Sequence, residues 1–470
     1  MLKIQRAELR NSWPAWLGVS IVFLVLSLVF VFSALTVVSG FTAVANGEMV
    51  LEQSGEFTLV PLTNFVLGGI VGLGVVSSSV SLVIDCRRGA LARLALAGAT
   101  PGQVLGTVLG QLAAVTLACA LIADVICLAT LGPGLNLLAA VRTEPDMLVV
   151  APTPVHDLGV VLLTNLLTVG FALLAGLGQA RRASRIPPVE ALRQAEAATS
   201  RRRVVLPVLG AVTALLVTGI AFGMLPVLAQ ARNKETASNV MQLAIAVLLT
   251  TTLAFASVAH LYVGHLARFW TGLIPVRSAS WQIARRNVSR RGARFARSVT
   301  PVMFTVAILL GMTVVMPTIA ATTAAAGYEI QLSGAGIGPV LTMVGPALAI
   351  ALAGGVGSLL MMSKQRDAEL ALTGVLGATP GQRRTLPVLE AVIIAVTALF
   401  PALIAVGVEL AYFHFGLPAA GYAAVLSVPW GSFVGAFVVT LLITIAATFL
   451  PTLPALRKPE RQVLARLAAE

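Results

Sequence analysis

The chain has 470 residues, of which 57% are hydrophobic and only 11% charged, and its mean hydropathy is +0.93. Soluble domains carry about 25% charged residues, so a large water-soluble domain is excluded and a polytopic helical membrane protein is implied. The net charge of +13 invites a nucleic-acid reading, but the basic residues sit in short stretches between apolar segments, which argues against nucleic acid as a partner.

Ten membrane spans are expected, approximately over residues 14–40, 58–84, 102–130, 158–182, 204–230, 237–264, 299–324, 338–362, 385–412 and 429–450. Each is close to or above the roughly 20 apolar residues that cross a bilayer. The first could be mistaken for a secretion signal, because Ala43-Val44-Ala45 resembles a cleavage site. Its apolar run from Leu17 to Val38 exceeds the 7–15 residues of a signal core, so a retained helix is expected. The longest outer loop is expected at about 131–157.

With a cytoplasmic N-terminus, ten spans place all of the 32 basic residues except Arg142, Arg232 and Lys234 on the inner side. That asymmetry fixes orientation. Both termini are expected in the cytoplasm, the basic residues contacting anionic lipid or a partner. The segment Trp281 to Arg297 carries six arginines interleaved with Ile283, Val288 and Phe295. It reads as an amphipathic helix on the inner leaflet, with ATPase contact secondary.

The hexapeptide Gly98-Ala99-Thr100-Pro101-Gly102-Gln103 recurs as Gly377-Ala378-Thr379-Pro380-Gly381-Gln382. It reads as a helix stop followed at once by a helix start. Gly98 and Gly377 suit the left-handed position that ends a helix, Thr100 and Thr379 can cap the next, and Pro101 and Pro380 fit its first turn. Superposing the copies pairs Arg87 with Arg366, Leu91 with Leu370, Ala92 with Ala371 and Gln111 with Glu390. Pro187 to Arg193 and Pro451 to Arg457 close each unit, and Arg10-Asn11 and Arg286-Asn287 lead into them. The expected organisation is an all-α polytopic protein with two parallel four-helix repeats, 1–198 and 277–470, joined by two linking spans in 199–276. An even number of spans separates the copies, so both face the same way, related by a pseudo-two-fold axis along the membrane normal.

Two stretches resemble the cytoplasmic regions of the FtsX-like permease family, the membrane subunits of MacB-type (type VII) ABC transporters: Arg87 to Gln103, and Arg366 to Thr379. Ala284-Arg285-Arg286-Asn287 and Glu190-Ala191-Leu192-Arg193 are similar to that family too. The ten-span duplicated form resembles Bce-type permeases. The resemblance implies coupling helices within 87–104 and 366–383 that dock two copies of an ABC ATPase. Their contact residues would be Arg87, Arg88, Gly98, Thr100, Pro101, Arg366, Glu369, Gly377, Thr379 and Pro380. It also implies a bacterial cytoplasmic membrane, and export of a hydrophobic or amphipathic compound such as a peptide antibiotic or lipid-like molecule. The alternatives are a regulatory permease that controls a sensor kinase, and a gradient-driven carrier. Two departures stand out. Ala90 replaces the Glu found at position 369, which would make the docking sites unequal if that Glu engages the ATPase, and the family's sizeable extracellular domain has no counterpart in these short outer loops.

No Gly is followed by Lys, so the Gly-x-x-x-x-Gly-Lys phosphate loop is missing. No cofactor is expected on this chain, with ATP and magnesium bound in the partner ATPase. Cys86, Cys119 and Cys127 offer no metal spacing, and His156, His260, His265 and His414 read as structural or interfacial. No metal site and no catalytic arrangement are expected. Ionisable groups inside spans are functional candidates by default. Glu390 and Glu409 read as hydrated or paired near an interface, and Asp124 as a lone candidate for the substrate path. Gly68, Gly69, Gly72 and Gly74, with Gly354, Gly355 and Gly357, permit close helix contact. Gly68, Gly72, Gly354 and Gly355 are the expected packing or gate positions.

Overall fold

The computed structural model describes residues 13–49, 51–87, 91, 94–142, 149–184, 205–231, 234–276, 278–290, 292–325, 337–361 and 363–453. Among these residues every regular element is helical. The first six helices are α1 (Trp13–Ala45), α2 (Leu51–Cys86), α3 (Pro101–Arg142), α4 (Leu158–Ala183), α5 (Val205–Gly223) and α6 (Leu225–Ala231). Next come α7 (Lys234–Gly272), α8 (Ala279–Arg290), α9 (Gly292–Ala325) and α10 (Ile337–Met361). The last are α11 (Ser363–Val375), α12 (Pro380–Ala419) and α13 (Trp430–Phe449), followed by a short 3₁₀ turn at Leu450–Thr452. In lipid each backbone group must be satisfied within the protein, and helices do this segment by segment.

Among the described residues, ten spans are long and apolar enough to cross a bilayer, from Trp16–Ala45 to Trp430–Thr452. The chain is a multi-pass helical membrane protein. The fifth span, Pro207–Gln230, joins α5 and α6 across a break at Met224, between Gly223 and Pro226.

The third and ninth spans are longer than the sequence suggests. Leu131-Gly132-Pro133-Gly134 reads as a helix end, yet α3 continues through Pro133 to Arg142. Packing overrides the local signal: Leu131 and Leu135 are fully buried among Val31, Leu35 and Phe57, and Gly134 makes room for the Phe32 ring. The outer loop expected at 131–157 is therefore helical for almost half its length. With 42 and 40 residues, α3 and α12 are each about 60 Å long at about 1.5 Å per residue. A hydrocarbon core of about 30 Å cannot contain either one.

The residues fall into two compact units. Unit 1 comprises residues 1–197 and 319–353. Here α1 packs on α2 and α3. The Cys119 thiol donates to the Ser20 carbonyl at 3.5 Å and the Cys127 thiol to the Leu28 carbonyl at 3.6 Å. These two contacts advance together along both helices, so α1 and α3 run in the same direction. The lead Arg10-Asn11 and the closing stretch 187–193 lie outside the described residues.

Unit 2 comprises residues 198–318 and 354–470. Its centre is α7, which packs on α5 and α12. The amphipathic segment forms α8, but its apolar face packs on α7 and α12. Trp281, Ala284 and Val288 are buried, leaving only Ile283 of that face exposed. Chain entry into α9 is close: a Cβ on Gly292 would lie 2.5 Å from the Gly264 Cα.

Two backbones cannot separate cheaply in a packed bundle. Gly292→Ala should therefore destabilise the protein by about 1–3 kcal/mol, read by thermal unfolding in detergent. Gly106→Ala meets open space and should leave unfolding unchanged.

Candidate functional site

Both hexapeptides adopt one local structure. In the first, Gly98 has φ +90°. Its N–H bonds the Ala95 carbonyl at 3.1 Å, and the Ala99 N–H bonds the Leu94 carbonyl at 3.0 Å. In the second, Gly377 has φ +93°, with Gly377 to Gly374 and Ala378 to Thr373 both at 3.0 Å. This is the Schellman closure of a helix, which needs a residue tolerant of positive φ. A new helix starts immediately. The Gln103 N–H bonds Thr100 Oγ1 at 3.3 Å while the Thr100 N–H bonds Gln103 Oε1 at 2.9 Å. Gln382 and Thr379 repeat the exchange at 3.3 and 3.0 Å. Pro101 and Pro380 open their helices, where a missing N–H costs nothing.

The sequence pattern pointed to the threonine caps, but Gln103 and Gln382 were missed. The signal was present, because Thr followed three residues later by Gln is a capping box.

Apolar side chains stand exposed on both turns. Leu96 is open on the first, and Leu372, Val375 and Leu376 on the second, with Leu376 at 78% exposure. Glu369 is partly buried on α11. Arg366 is helical, whereas Arg88 and Ala90 lie outside the described residues.

Behind the turns, the equivalent positions Gln111 and Glu390 each hold a polar partner, though the partners themselves come from different places in the two copies. Arg87 is 95% buried, lies 5.4 Å over the Trp16 ring, and donates through Nη1 to Gln111 Oε1. Asn287 donates to Glu390 Oε1 at 3.1 Å. The expected pairing of Glu390 is thus present, with the Asn of the lead segment as partner. Glu409 behaves differently. It is fully buried, and neither carboxylate oxygen has a hydrogen-bond partner among the described residues. A Cβ on Gly311 would come within 2.8 Å of its Oε2. The pairing that the sequence suggested for Glu409 is not seen among the described residues.

Asp124 is buried on α3 and accepts from Asn165 Nδ2 of α4 at 2.7 Å. Asp124 looks solitary in the sequence; Asn165, a polar residue within the fourth span, was the overlooked signal. Among the glycines, a Cβ on Gly68 would lie 3.2 Å from Ile350 Cδ1 and one on Gly72 3.1 Å from Leu26 Cδ1. These are tight approaches. Gly354 is buried, and a Cβ on Gly355 would make an ordinary 3.9 Å contact with Val302.

Spans, capped turns and small-residue contacts together describe a polytopic helical membrane protein. The FtsX-like permease C-terminal family matches residues 341–459, from the start of α10 through the second hexapeptide to beyond α13. The chain therefore carries an FtsX-like permease domain, the domain of a membrane permease component, and the family that its turn motifs resemble is supported. No curated protein matches the chain.

Replacing Gln111 with Leu removes an acceptor from the buried Arg87 guanidinium and should cost about 1.5–3 kcal/mol in unfolding measurements. Gln111→Glu keeps an acceptor and reproduces the second copy, so it should cost much less. Equal losses would contradict the pairing. Thr100→Ala and Thr379→Ala should each cost about 1 kcal/mol.

Proposed function

We propose that the chain is the membrane subunit of an ABC-type transporter. Two copies of a separate ATPase, which bind ATP and magnesium, would drive it to expel a hydrophobic or amphipathic compound, lipid-like or peptide, from the bacterial cytoplasmic membrane. In this reading the chain is two parallel repeats joined by linking spans, and no ATP is bound or cleaved by its own residues. The observation that carries the proposal is the paired turns: one conformation made twice, each with apolar side chains exposed beside a capped helix start.

The mechanical logic follows from the caps. A reciprocal Thr–Gln box leaves no loose joint between the turn and the helix it opens, so a push on residues 98–103 or 377–382 travels directly into α3 or α12. Both helices are continuous over a length well beyond the bilayer core. Arg87, Arg88, Arg366 and Glu369 would supply polar contacts to the ATPase, while Leu96, Val375 and Leu376 would fill its apolar grooves. Gly68, Gly72, Gly354 and Gly355 would let helices slide at close range during the stroke. Asp124 is held by Asn165, and a place on the substrate path for it rests on its burial within a span.

Native mass spectrometry of the complex isolated from its own cells tests this. Two phosphate-loop ATPase subunits per chain are expected. Leu376→Asp should abolish that association without changing unfolding, since Leu376 is exposed. A chain that isolates alone under conditions preserving other membrane complexes would count against the proposal.

A further inference from the structure

Glu409 lies on α12 in unit 2. It is fully buried, and neither of its oxygens has a hydrogen-bond partner among the described residues. The carboxyl group occupies a slot that a glycine creates. A Cβ on Gly311 of α9 would lie 2.8 Å from Glu409 Oε2 and 2.5 Å from Leu248 Cδ2 of α7. Three helices therefore close on this group at contact range. Both oxygens are sealed from solvent, so a metal ion or a larger donor has no access to them.

No opposite charge faces the group either. On α7 no titratable residue lies between Glu235 and His260, and on α9 none follows Arg297. The helices α6 and α13, which also pack on α12, contain none. Charged residues do occur on α8 and α11. However, α8 meets α12 where Asn287 bonds Glu390, about 28 Å from Glu409 along the helix, and α11 leads into the turn that opens α12. On α12 itself, Arg383, Arg384 and Glu390 lie in the first three turns, and His414 is exposed. Tyr412 is one turn away and fully buried, but its hydroxyl has no partner, so it does not serve the carboxyl group. Keeping an ordinary glutamate protonated at pH 7 is disfavoured about 500-fold, because it ionises at about pH 4.3. An unpaired carboxylate in an apolar interior is disfavoured more strongly, and such groups neutralise instead. The neutral acid is the form that fits this slot.

We infer that Glu409 is a proton-binding site, occupied while α7, α9 and α12 are packed together and vacated when α9 and α12 part. A proton needs no cavity, since it becomes part of the carboxyl group. On parting, the acid O–H bond breaks, the proton passes to water admitted between the helices, and the carboxylate left behind is hydrated. Repacking reverses the step. Each opening thus releases one proton, and lower pH favours the packed form. The site is single: superposing the two hexapeptides places Thr130 opposite Glu409, so the first copy has no counterpart. The inference goes beyond the permease reading, because it concerns how α12 meets α9 whatever moves them.

The full chain in phosphatidylcholine nanodiscs, without an ATPase, provides the test. Infrared spectra of the wild type minus those of Glu409→Gln at about pH 7 should show a carboxylic-acid C=O stretch and no matching carboxylate band. Gly311→Ala, whose Cβ enters the slot, should displace the carboxyl group and lower its proton affinity about tenfold, or one pH unit of its titration. Unfolding gives a second readout. The packed form holds a proton that the unfolded chain gives up above about pH 4.3. Rising pH should therefore weaken the wild type relative to Glu409→Gln by up to about tenfold in the unfolding equilibrium per pH unit. Glu409→Met, apolar and of similar length, should match Glu409→Gln and replaces it as the reference if the amide fails to fold. A carboxylate band in place of the acid band, a Gly311→Ala titration equal to that of the wild type, or parallel pH profiles of the wild type and the reference variants would each overturn the assignment. No ATPase enters these measurements, so such a failure leaves the ATPase association standing, and loss of that association leaves this result standing.

Discussion

The need to satisfy backbone hydrogen bonds away from water governs this molecule. Every regular element among the described residues is helical for that reason. The same need makes its prolines conspicuous, because each one inside a helix withdraws a donor from a carbonyl. Where Pro346 does so, the side chain of Asn64 donates to the freed Thr342 carbonyl. Where Pro133 does so, burial of Leu131 and Leu135 keeps α3 continuous. Where the chain must leave one helix and begin another, the hexapeptides satisfy both ends within a few residues.

Those turns connect local chemistry to proposed function. A Schellman closure and a capping box placed back to back fix the direction of the outgoing helix. Arg87 with Gln111, buried, and Asn287 with Glu390, partly buried, then anchor the helices behind them through polar contacts. Burying such groups without partners is costly, so the pairs also specify which faces meet. Glu409 stands apart as a fully buried carboxyl group with no partner among the described residues.

Much of this was legible in the sequence. Long apolar runs gave the ten spans closely, since length and hydropathy are properties of the segment itself. Gly98, Thr100 and Pro101 announced their conformations because glycine, threonine and proline act locally. The extension of α3 past Pro133 was not legible: Gly-Pro-Gly signals an end, and only contacts with α1 reverse it. Nor could pattern reveal that Asn165 holds Asp124, or that Asn64 serves a carbonyl freed on a distant helix, because those partners are far apart along the chain. The amphipathic α8 was visible as a pattern, but its burial against α7 and α12 depends on tertiary packing.

The proposed function requires that the two like turns face the same side of the membrane to receive a common partner. Gly102 and Gly381 both have open space where a side chain would begin, so cysteine can replace either without disturbing its turn. With Cys86, Cys119 and Cys127 replaced by alanine, Gly102→Cys and Gly381→Cys are each tested with an impermeant maleimide on sealed vesicles of known sidedness. The account predicts that both react only from the cytoplasmic face. Reaction of the two positions from opposite faces would contradict it.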